Sequence, residues 1–232
     1  MNRKTPARGE VAAASGPTRR GAVLADFATA LRWVSRRRPA GLRELVRPGS
    51  VCLEVRAEPH LVTWTLSILA GPTGQVHCLE PLRSTPRWLT VAGALFGRRN
   101  IVVHRSLPAR ASEPGTLRLP APAGSADIVD VFCRQLSLER VDFINVGVTE
   151  AAVVLGSFST LLRHRPALLV ELEDRVCQDS GIESAVLVRG LTNTLGYLMY
   201  RWQGRQWQPV TEATTACGSY LFTSRPILLL GA

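Results

Sequence analysis

Two carboxylates define the chemistry open to this chain. Glu54 lies near the end of the apolar run in Val51-Cys-Leu-Glu-Val-Arg-Ala-Glu-Pro-His60, and Glu80 ends the run before Pro81 in Cys78-Leu-Glu-Pro81. Each apolar run reads as a strand, and the segment between them reads as a helix. A carboxylate leaving a second strand suits paired hydrogen bonds to the hydroxyls of a ribose. The turn after the first strand carries Arg56, Ala57, Glu58 and His60. A guanidinium at Arg56 matches a ligand carboxylate in bidentate geometry. Two other nucleotide routes are excluded. The dinucleotide fingerprint GxGxxG is absent, as is the phosphate loop GxxxxGK[ST], and the only lysine is Lys4.

These groups need a scaffold, and the chain alternates strand and helix from residue 50 onward. Strands are expected at 51–55, 75–79, 101–104, 141–146 and 167–172, with helices at 62–70, 86–96, 128–136, 150–162 and 181–195. Two last strands follow at 197–202 and 220–223. Residues 108–127, rich in Pro, Ala and Gly, read as a loop. Repeated strand–helix units imply an α/β fold with a mostly parallel sheet and helices on both faces. The last two strands lack a helical connection, which favours an antiparallel pair at one edge. Such sheets bind ligands at the carboxyl ends of their strands. That adds Ser106 and Leu107 after the third strand, Asn145 and Glu150 at the fourth and Glu171 at the fifth. His77, His104 and His164 fall within or beside elements and read as structural or solvated.

Composition narrows the class. With 232 residues, 46% hydrophobic, the chain can bury one sizeable core. It has no apolar run long enough to span a membrane and no secretory pattern at its start. Five cysteines without CxxC spacing read as buried thiols in a reducing cytoplasm, not as a zinc site. Net charge is +10, and residues 1–47 hold 11 Lys/Arg against 3 Asp/Glu. Three segments are expected: a basic tail over 1–20 without fixed structure, a helical cap over 21–47 and one α/β domain over 48–232. In the cap, Val23, Phe27, Leu31 and Val34 recur at helical spacing, so the stripe packs on the domain. A basic arm for nucleic acid is the less favoured alternative.

From Arg47 to Thr223 the sequence resembles the FkbM-type S-adenosylmethionine-dependent methyltransferases. Glu54 to His60 is similar to the family's first motif (acidic residue, any residue, Gly-Ala-Asn, any residue, Gly). Gly74-Gln-Val-His-Cys-Leu-Glu-Pro81 is similar to its FEP motif. Val141-Asp-Phe-Ile-Asn-Val-Gly-Val-Thr-Glu-Ala151 resembles VDFIKIDVEGAE. Arg165-Pro-Ala-Leu-Leu-Val-Glu171 with Gly196-Tyr197 resembles RPxLLxE … GY. The resemblance implies a seven-stranded methyltransferase sheet with an antiparallel last strand, S-adenosylmethionine as cofactor and a small-molecule or sugar hydroxyl as acceptor. It places Glu54, Ala57, Glu80 and Pro81 at the cofactor. The chain departs from the motifs at Arg56 and His60, where the family has glycines, and at Asn145, Gly147, Thr149 and Glu150. Two readings therefore stand: a methyltransferase with an unusual turn, or a non-catalytic member acting as a binding or assembly partner.

Overall fold

A computed structural model describes residues 39–55, 61–80, 99–105, 128–147, 151–172, 183–203, 206–213 and 218–227. Helix α1 (Pro39–Leu45) precedes strand β1 (Val51–Val55), helix α2 (Leu61–Ala70), strand β2 (Gln75–Glu80) and strand β3 (Ile101–Arg105). Then come helix α3 (Ile128–Gln135), strand β4 (Phe143–Val146), helices α4 (Ala151–Gly156) and α5 (Phe158–His164) and strand β5 (Ala167–Leu172). Helix α6 (Ser184–Arg189) runs into a π-helical turn at Gly190–Thr194. Strands β6 (Leu198–Gln203), β7 (Gln206–Pro209) and β8 (Gly218–Thr223) complete the described chain.

The strands form one sheet in the order β3-β2-β1-β4-β5-β8-β6-β7. The first five pair in parallel, whereas β8 inserts antiparallel between β5 and β6. Strand alternation sends successive side chains to opposite faces. Leu53, Ile144, Leu168 and Phe222 join Phe132 and Leu161 in one core. Cys52, Cys78, Phe143 and Leu221 join Leu42 and Trp64 in the other. Because both faces are covered, the parallel strands read as nearly unbroken apolar runs.

Three differences from the sequence reading have local causes. The helix expected over 150–162 is two helices. Ser157 turns its hydroxyl back to the Val153 carbonyl, and Asp130 of α3 accepts from the Ser159 and Thr160 amides at 2.9 and 2.8 Å. The second helix thus has its own N-terminal cap, supplied by another element. The loop expected after β6 contains β7, paired antiparallel with β6, so the described residues form a sheet of eight strands and not seven. The helix expected over 181–195 divides into α6 and the π-helical turn. The expected 22–37 and 86–96 helices and the 108–127 loop lie outside the described residues. No helix among the described residues is long and apolar enough to cross a membrane.

Candidate cofactor site at the strand exits

The site is built from the middle of the sheet outward. Glu54 is the penultimate residue of β1, and its register neighbours are Cys78 on β2 and Asn145 on β4. Glu54 is 1% exposed and Asn145 is 3% exposed. A buried carboxylate requires donors, and α2 supplies one. Thr63, in the first turn of α2 and fully buried, donates its hydroxyl to Glu54 Oε2. The Cys78 thiol lies 3.7 Å from the same oxygen. Glu80 ends β2 in register with Arg105, the last residue of β3, so two strand exits stand side by side. Glu171 lies on β5, two residues beyond Leu169, which pairs with Asn145. It therefore shares the Asn145 face, one strand over and nearer the exit.

The sheet register thus gathers Glu54 and Asn145, with the Glu80 and Glu171 positions on the neighbouring strands. Arg56, Ala57, Glu58, His60, Pro81, Ser106, Leu107 and Glu150 lie outside the described residues. Sequence reasoning missed Thr63. A signal existed: Thr63, Thr65 and Ser67 are three hydroxyls in the otherwise apolar helix LVTWTLSILA, and all three are buried. Ser67 also has a polar partner, donating to Asn100 Oδ1 at 2.7 Å. Asn100 in turn donates to the Ser67 and Gly71 carbonyls at the end of α2, at 3.0 and 2.8 Å. Polar contacts therefore tie down both ends of this helix.

Two further groups lie off the site. His77 Nδ1 and His104 Nε2 meet at 3.0 Å, and Gln75 Oε1 lies 3.1 Å from His77 Nε2. Gln75 Oε1 can only accept, so His77 carries its proton on Nε2 and His104 donates to His77 Nδ1. Both rings pack edge-on against Phe132. Burial, with His104 adding to it, pushes the His77 pKa down to about 4, and burial lowers that of His104. The second group explains the RP…GY residues. The Arg165 guanidinium sits 4.7 Å over the Tyr197 ring and donates to the Leu195 carbonyl. Tyr197 donates its hydroxyl to the Pro166 carbonyl at 2.9 Å. Burial pushes the Tyr197 hydroxyl pKa up to about 12. These residues lock the start of β5 to the start of β6. Among the described residues, no group of three His, Cys, Asp or Glu side chains could hold a metal.

Solved structures share this strand arrangement. A Clostridium thermocellum protein described as an rRNA methylase matches with a TM-score of 0.51 at 7% identity, over 80% of this chain and 92% of that one. The fold is the Rossmann-like methyltransferase fold. Aeropyrum pernix fibrillarin, solved with natively bound S-adenosyl-L-methionine, matches with a TM-score of 0.46 at 17% identity, over 85% of this chain and 73% of that one. A fibrillarin pre-rRNA processing protein from Methanococcus jannaschii matches with a TM-score of 0.48 at 14% identity, over 77% and 68%. No family model and no curated protein matches the sequence.

Proposed function

We propose that this protein is an S-adenosylmethionine-dependent methyltransferase of the FkbM type, acting on a hydroxyl of a small molecule or sugar. The observation that carries the reading is the buried Glu54, set between β2 and β4 at the centre of a methyltransferase strand order. This is the topological switch point, where open α/β sheets place ligands. The donor set fits the cofactor. S-adenosylmethionine presents an ammonium, a sulfonium and two ribose hydroxyls, all of which seek acceptors. Carboxylates at Glu54 and Glu80 supply them. Arg56 supplies a partner for the cofactor carboxylate.

When bound, the cofactor supplies a methyl group on a positively charged sulfur. The chain's work is then to hold donor and acceptor in line. In this reading Glu80 holds the ribose end and Glu54 the cationic end, and Asn145, Glu150 and Glu171 are the candidates for contact with the acceptor. The hydroxyl acceptor class comes with the FkbM resemblance, and the three-segment organisation (1–20, 21–47 and 48–232) comes from the charge distribution and helical spacing of the sequence. Calorimetric titration with S-adenosylmethionine and S-adenosylhomocysteine tests the reading. Binding by the wild type, weakened about ten-fold or more by Glu80→Ala as two ribose hydrogen bonds are lost, is expected. No heat with either ligand at millimolar concentration would overturn it and leave the non-catalytic alternative.

A further inference from the structure

Glu54 and Thr63 lie nine residues apart, on either side of the chain that joins β1 to α2. The Thr63 hydroxyl closes that interval by donating to Glu54 Oε2. Thr63 is fully buried and Glu54 is 1% exposed, so water does not compete for this hydrogen bond. The contact fixes where the chain leaves the sheet relative to where it starts the helix. It also seats a carboxylate against the first turn of α2, where unpaired amides favour negative charge.

We infer that Thr63 is a positioning residue that aims the Glu54 carboxylate at the cationic, methionine end of the cofactor. The inference rests on the methyltransferase reading, and one comparison of ligands separates the two. S-adenosylhomocysteine carries the ammonium, whereas methylthioadenosine has the same nucleoside without it. Losing a hydrogen bond to a charged group corresponds to about a ten-fold loss of affinity or more. Thr63→Val, which keeps the shape and removes the hydroxyl, should therefore weaken S-adenosylhomocysteine about ten-fold while leaving methylthioadenosine within about two-fold. Thr63→Ser restores the hydroxyl and should bind both ligands as the wild type does. Equal weakening of both ligands, or of neither, would sink the positioning role. A wild type that binds neither ligand overturns the methyltransferase reading and this inference together. If Thr63→Val does not fold, hydrogen exchange in the wild type decides. S-adenosylhomocysteine should protect the first-turn amides of α2 beyond what methylthioadenosine does, and equal protection counts against the clamp.

Discussion

A side chain at position 74 would meet backbone on both sides. A Cβ there falls 2.6 Å from the Ala70 carbonyl oxygen and 2.6 Å from that of Ser50. Neither oxygen can yield, since Gln75 donates to Ser50 and the Ala70 carbonyl accepts from Gly49. Gly74→Ala should therefore cost about 3 kcal/mol, the upper range for overpacking. The check is a lowered urea midpoint with an unchanged denaturant slope. Residues differ in how far the sequence reveals them. Glu54 and Glu80 were legible because each is an acid in an apolar run, a costly placement that needs a reason. Thr63 left only a faint signal, a hydroxyl in an otherwise apolar helix, because such a hydroxyl is as compatible with solvent as with a buried acid. Arg165 and Tyr197 could be recognised as a motif. That they stack on each other emerges only when β5 and β6 enter the same sheet.

At the scale of elements, the weakest-held strand of the parallel half of the sheet is β3, which pairs only with β2 among the described strands. The His77–His104 hydrogen bond ties the two strands under Phe132. A second proton on His77 would place two N–H groups face to face, and burial already disfavours the charge. The folded state thus holds its His77 proton only below a pKa of about 4, whereas an unfolded histidine takes one up near 6.5. Between these values the unfolded state binds more protons, so stability falls as pH drops through that window. It is full above pH 6.5 and levels off below about 4. The His77 contribution to that loss is about 3 kcal/mol at most. The urea midpoint of the wild type should fall across this range more steeply than that of His77→Gln. Parallel curves would show that the pair does not control acid stability. The pairing itself was invisible in the sequence, since His77 and His104 meet only through the β2–β3 register. The division between α4 and α5 was hidden for a similar reason, because the capping Asp130 is supplied from α3, about thirty residues upstream.

Across the whole molecule, the central parallel strands β1, β4 and β5 could be read from the chain because burial on both faces demands unbroken apolar runs. β7 could not. Gln206-Trp-Gln-Pro209 is short, carries no such run and, among the described strands, pairs on one side only. This asymmetry between centre and edge makes a prediction about the last strand. β8 is hydrogen-bonded to β5 along five residues and to β6 along four. Tyr220, Leu221 and Phe222 are fully buried, with Leu221 in one core and its two neighbours in the other. The strand therefore joins the parallel half of the sheet to the β6–β7 hairpin and contributes to both layers at once. A proline there removes an amide from a central ladder and its ring collides with the neighbouring strand. Leu221→Pro should abolish cooperative thermal unfolding and the near-ultraviolet circular dichroism of the packed aromatics. Gln206→Pro, at the first position of an exposed edge strand, should leave both signals in place. A Leu221→Pro protein that still melts cooperatively would mean that β5 and β6 are held together by the helical layers, with β8 laid on afterward.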